Sequence, residues 1–338
     1  MNATPDLRTR DDRLKAELKN FIAEYLFDEL SAGFVQRSGM EFMEGVPVPL
    51  SPRDMVAAKE GTGLDVSALT DNMAVVMGAD PSFRHVGAYL RFMARCFDSS
   101  LVDVMTSKAG GLLGKEQFRK ACVYFRTALI LDNGDRKAIF GYACACRQWY
   151  LSLEGDDGVE ELVSVLKSES KEYFEYCTAL FPKFADAHYF LGYVYLNEGA
   201  YQKASIIWKR YLAMADPEKN EEEINEIKER VDSLKDPVAI ETGINELMAG
   251  RLEEGLRILE PYTESSFNTW WPLHYYLGCA YRELGHPEEA MEGFRKALAL
   301  SPSNVECCEA LAQVCAEVGD TAGYDKYHNK AELLRRDE

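Results

Sequence analysis

An all-α chain of repeated antiparallel helix pairs is the fold this sequence predicts, on three observations. First, residues 185–217 and 271–304 superimpose over most of their length. One carries Leu191, Gly192, Tyr195, Ala204 and Trp208; the other carries Leu277, Gly278, Tyr281, Ala290 and Phe294 at the same spacing. A further unit follows 34 residues on, taking Gly278 to Ala312 and Ala297 to Ala331. Second, the large side chains recur at helical spacing, while the small ones fall where two helices would cross closely. Third, Gly199 and Gly285 stand where a first helix ends in a left-handed turn, and Pro302 stops a second.

This pattern resembles the tetratricopeptide repeat, a helix–turn–helix unit with the signature W-x2-L-G-x2-Y…A-x3-F…P. Residues 271–304 match it at nearly every signature position, and 185–217 match with one extra residue before Pro217. Residues 305–338 are degenerate but in register through Leu311, Ala312, Gly319, His328 and Ala331. The resemblance implies a right-handed α-solenoid.

In chain order, Leu14, Leu18, Phe21, Ile22, Tyr25, Leu26 and Leu30 predict a helix within 11–36, capped by Asp11 or Asp12. Three prolines in 44–54 enforce an extended course. Helices follow at about 53–60, 65–77 and 81–97. Residues 1–98 carry no repeat signature and are expected to form a helical cap over the exposed apolar end of the array. The array itself occupies 99–338, in units at about 99–135, 136–184, 185–217, 236–263, 271–304 and 305–338. In the first, helices are expected at 99–111 and 115–131. In the second, an insertion near GDDGVEE delays the second helix to about 160–181. Residues 218–234 read as an extra acidic helix, which is why Gly192 and Gly278 lie 86 apart rather than a multiple of 34. The 236–263 unit places Gly243, Gly250, Gly255 and Leu259 suitably, although Thr242 stands where Leu is usual.

Charge narrows the function. The 38 Lys and Arg against 56 Asp and Glu leave a net charge of −18, which excludes a nucleic-acid face. No apolar run is long enough to span a membrane, and the charged N-terminus lacks a signal-peptide stretch, so a cytoplasmic protein is expected. Nine cysteines, without a CxxC pair, argue against disulfides or structural zinc. Cys307, Cys308, Cys315 and His328 are the nearest approach to a metal cluster, and they read as helix packing. The segment AGGLLGKE (109–116) fails as a phosphate-binding loop at Ala109 and Glu116; helix termination and a loop account for its glycines. No nucleophile–base set has family spacing, so no catalytic residue, metal or cofactor is expected, and the chain reads as non-enzymatic.

The resemblance also implies a concave groove lined by first-helix positions. These fall on Asp186, Tyr189, Tyr193 and Asn197, on Ile240 and Ile244, and on Tyr275, Arg282, Glu283 and Gln313. The expected activity is that of a scaffold or adaptor gripping a peptide or protein segment. A peptide or small-molecule sensor and a self-associating subunit are the alternatives, with monomer or homodimer left open. Asp186, Glu283, Glu309 and Glu317 on the rim favour a basic partner. Carboxylate-clamping relatives use Asn where this chain has Cys144, Tyr193, Ile244, Cys279 and Gln313, so that subtype is not expected. Bacterial peptide-pheromone receptors share the architecture but use Asn-rich grooves, which are missing here. Added zinc is expected to leave the melting temperature unchanged; an appreciable rise would sink the packing account of the three cysteines and His328.

Overall fold

The computed structural model describes residues 6–60, 65–97 and 101–336. It divides into two compact units, Met1–Val194 and Tyr195–Glu338. This division falls at 194/195, whereas the sequence pattern predicts one at 98/99.

Unit 1 begins with a departure from the expected helix over 11–36. The chain forms α1 (Lys15–Leu18), a 3-10 turn, strand β1 (Leu26–Glu29) and α2 (Ala32–Ser38). Ser31 caps α2 by accepting the Phe34 N–H. The reason for the strand lies in the proline segment. Its residues Pro47–Leu50 form β2, antiparallel to β1 with Leu26 opposite Leu50 and Glu29 opposite Pro47. Pro47 and Pro49 point their backbone groups to the same side, away from β1, so no ladder donor is lost. Their carbonyls accept from the Tyr89 hydroxyl (2.6 Å) and the Asn72 amide (3.0 Å). Helices α3 (Pro52–Glu60), α4 (Val66–Ala79) and α5 (Val86–Cys96) follow.

Next come α6 (Leu101–Leu113), α7 (Phe118–Leu131), α8 (Arg136–Ser152) and α9 (Glu160–Leu180), each packed on its neighbour in sequence. Asp135 caps α8 by accepting the Ala138 N–H. Of the glycines of AGGLLGKE, Gly114 stands in the turn after the helix as expected, but α6 runs through Gly110 and Gly111. Both lie in open space, so the helix bears only their entropic cost. It ends at Leu113, and Glu116 takes the left-handed position (φ 60°) while the Gln117 N–H returns to the Leu112 carbonyl.

The unit 1 core holds an ionic cluster. Glu169 on α9 is 1% exposed and accepts from Arg10, Arg13 and the Tyr142 hydroxyl. Arg126 on α7, also 1% exposed, pairs with Asp12 at 2.5 Å. The N-terminal segment is thereby tied to α7 and α9. Close to this cluster α4 meets α7, where Gly78 sits against the Val123 carbonyl and Thr127 donates to the Ala74 carbonyl. Helix α10 (Ala185–Asn197) follows, and the division at 194/195 falls within its last turn.

Unit 2 contains α11 (Tyr201–Leu212), the inserted acidic α12 (Glu221–Ser233), α13 (Lys235–Met248) and α14 (Leu252–Leu259). After two 3-10 turns come α15 (Trp271–Glu283), α16 (Pro287–Leu300), α17 (Val305–Glu317) and α18 (Thr321–Arg336). The turn glycines Gly199, Gly250, Gly285 and Gly319 have φ between +71° and +78°, which costs an L-residue energy and glycine none. A Cβ at Gly278 would lie 2.8 Å from the Phe294 ring, and one at Gly293 would lie 2.9 Å from the His274 carbonyl. Thr242 earns its unusual place by donating to the Val238 carbonyl (2.7 Å) and accepting from the Gln202 amide (2.9 Å).

Ala290 is fully buried at the α15–α16 crossing. Ala290→Leu is therefore expected to cost about 1–3 kcal/mol in chemical denaturation. Gly110→Ala, in an exposed helix interior with free space, should instead add about 0.5–1 kcal/mol. Equal midpoints for both variants would contradict the close-crossing account.

Candidate functional site

A cavity of about 600 Å3 lies within unit 2, walled by α13, α15 and the chain entering α11. Its α13 wall is a single stripe, Pro237, Ile240 and Ile244, recurring at three- and four-residue spacing. Ile240 is shared with the core behind, where Leu247, Leu256, Leu259, Leu273 and Leu277 pack. The facing wall is aromatic. Trp271 and Tyr275 are one turn apart on α15, with ring centroids 6.0 Å apart in an edge-on arrangement. Tyr276 and Tyr201 complete that side.

The segment before α15 supplies Phe267 and Trp270. Ser265 caps the short turn Ser266–Thr269 by accepting the Phe267 N–H at 3.1 Å. Buried His274 donates from Nε2 to the Asn268 carbonyl at 2.8 Å, fastening this segment to α15. Pro272 falls in the first turn of α15, where no intrahelical donor is needed. Trp270 remains 38% exposed at the rim.

Two carboxylates enter the cavity. Glu241 is half-buried, and one of its oxygens accepts the Gln202 N–H at 2.8 Å. Glu306, on α17, is exposed. Among the described residues, no Lys or Arg lines it. Burial, the neighbouring Cys279 thiol and the Glu306 charge all push the Tyr275 phenol well above its ordinary range. Burial and the hydrogen bond to Glu260 push Tyr281 up to about 12. Both therefore act as neutral hydrogen-bonding groups at physiological pH.

Of the positions inferred from the sequence, Ile240, Ile244 and Tyr275 converge on this cavity. Arg282 and Gln313 meet elsewhere: the guanidinium donates to Gln313 at 2.7 Å and holds Glu317 at 2.5 Å. Glu283 and Asn197 are exposed and stand outside the cavity wall. Asp186, Tyr189 and Tyr193 belong to unit 1, where the two tyrosine rings lie 5.2 Å apart. Sequence reasoning missed Trp270, Trp271, Phe267, Glu241 and Glu306. The signal was the Trp-Trp-Pro run at the head of a strong repeat, preceded by an aromatic loop that no signature position covers. Among the cysteines, Cys307, Cys308 and Cys315 are buried, while exposed His328 stacks on Tyr324 at 5.3 Å.

Paired helices closed by a left-handed glycine define the class of protein, a helical-repeat protein. Residues 271–304 match the tetratricopeptide repeat family model, so the α15–α16 helix pair is of the tetratricopeptide type. Solved structures similar to this chain include MamA from residue 41 onward of Desulfovibrio magneticus RS-1, at 18% identity and TM-score 0.31, covering 58% of this chain and 96% of that one. YrrB, described as a tetratricopeptide-repeat protein with an unusual peptide-binding site, has 18% identity and TM-score 0.32, covering 61% and 89%. PilW, a type IV pilus biogenesis factor, has 15% identity and TM-score 0.34, covering 70% and 94%. No curated protein matches the sequence.

The raised phenol of Tyr275 has a consequence for stability. The folded chain holds this proton more tightly than the unfolded chain, whose tyrosines titrate near 10. The contribution is complete below pH 10 and is lost as pH rises towards the folded value. Tyr275→Phe should therefore flatten the fall of stability between pH 9.5 and 11, measured by urea denaturation; an unchanged slope would refute a half-buried Tyr275 that stays protonated in the folded chain.

Proposed function

We propose that this chain is a non-enzymatic interaction scaffold that grips a segment of a partner protein in the aromatic cavity of unit 2. The observation that carries the reading is the convergence of Ile240, Ile244 and Tyr275 with Trp270, Trp271 and Phe267 around one concave space. Large, stiff side chains held in a pocket are what dominate binding energy at protein interfaces. A volume of this size suits one or two side chains of an extended segment. Glu283 and Gln313, with the Arg282–Glu317 pair, would then offer polar contacts to the segment where it continues beyond the cavity. Within unit 1, Asp186, Tyr189 and Tyr193 offer a separate acidic and aromatic strip for a further part of the partner. Asn197, exposed at the end of α10, supplies a polar contact.

The test is to pan the full chain against a random dodecapeptide library. Enriched peptides are expected to lose about 2 kcal/mol, roughly thirtyfold in Kd, when Trp271 and Tyr275 are both replaced by Ala. The far-ultraviolet circular dichroism should be retained. No enrichment, or peptides that bind the double variant as tightly as the wild type, would overturn the reading.

A further inference from the structure

The cavity's rings and its charge together point to a more specific occupant. We propose that it receives a cationic side chain of the bound segment, arginine in preference to lysine, with Glu241 and Glu306 as counter-charges. This rests on the cavity being a docking site, as argued above.

Aromatic walls alone would suit an aliphatic anchor equally well; the charge decides between them. Among the described residues, two carboxylates line the space and no Lys or Arg does. Glu306 has neither a hydrogen-bond nor an ion-pair partner among the described residues, and Glu241 has no ion-pair partner. Residues 195–338 also carry two-thirds of the chain's excess negative charge. That field draws cations towards this unit.

The rest of the molecule shows how its rings are commonly used. Arg119 lies 5.3 Å from the Trp149 ring centroid, Arg136 lies 4.8 Å from Phe184, and Lys203 lies 5.5 Å from Tyr195. Among the described residues, none of the cavity's own rings is covered in this way. The negative face of an aromatic ring attracts a cation, most strongly for tryptophan and where water is displaced. A guanidinium can lie flat on such a ring and still direct N–H groups in its plane towards carboxylates on two helices. An ammonium group, smaller and more strongly hydrated, does this less well.

The probes are Nα-acetyl-arginine methylamide and its neutral isostere, Nα-acetyl-citrulline methylamide, titrated into the full chain. The readout is the nitrogen-15 spectrum of the indole N–H groups. Trp149 and Trp208, 2% and 0% exposed, serve as internal references for Trp270 and Trp271. The arginine probe is expected to shift Trp270 and Trp271 selectively, with the citrulline probe roughly tenfold weaker. The double variant Glu241→Gln, Glu306→Gln should bring the two probes to within about twofold of each other, with circular dichroism unchanged. Equal responses to both probes in the wild type would overturn the cation assignment. So would library peptides that compete at the cavity yet contain neither Arg nor Lys. Each of those outcomes leaves the docking reading standing. If neither probe moves the two indoles, the assignment also fails, while the docking reading is decided separately by the peptide library.

Discussion

Where α15 and α16 cross, Gly278 on one helix and Gly293 on the other leave no room for a Cβ. A single carbon added at Gly278 would press on the Phe294 ring, and one at Gly293 would press on the His274 carbonyl. Gly243 and Gly255 play the same part between α13 and α14, against Leu259 and Leu247. In unit 1, Gly141 faces the Phe125 ring and Gly78 faces the Val123 carbonyl. Backbones brought this close leave the large residues only the seams between helix pairs to occupy. The buried cluster of Ile240, Leu247, Leu256, Leu259, Leu273 and Leu277 is such a seam. It sets α13 beside α15, and the cavity opens along the edge of that contact.

Unit 1 uses a second device. Glu169 is surrounded by Arg10, Arg13 and Tyr142, and buried Arg126 is paired to Asp12. The Nε and Nη1 atoms of Arg126 have no hydrogen-bond partner among the described residues. Burying such charges is costly, and ion pairing offsets the cost only when its geometry is held. The cluster therefore adds little net stability but penalises any register in which the N-terminal segment leaves α7 and α9.

Most of the helices were legible in the sequence. The 34-residue spacing, the glycines at 199 and 285 and the proline at 302 mark local constraints, each satisfied by a few neighbouring residues. The GDDGVEE insertion was legible for the same reason: α9 starts at Glu160, as the displaced pattern implies. The strand β1 was not. Its residues have helical spacing, and only pairing with a distant proline segment, whose carbonyls are taken up by Asn72 and Tyr89, makes the extended form preferable.

The candidate site divides along the same line. Ile244 and Tyr275 could be placed from repeat register, because a helix presents every third or fourth residue to one side. Trp270, Phe267 and Glu241 could not. Their roles depend on His274 fastening a non-repeat loop to α15 and on Gln202 reaching across to α13. By itself, then, the sequence determined helix pairs, their turns and their small crossing residues, all products of local chain geometry. Only the tertiary structure decided which aromatic rings share a cavity with uncompensated carboxylates, because that juxtaposition joins segments far apart in the chain and depends on how they pack.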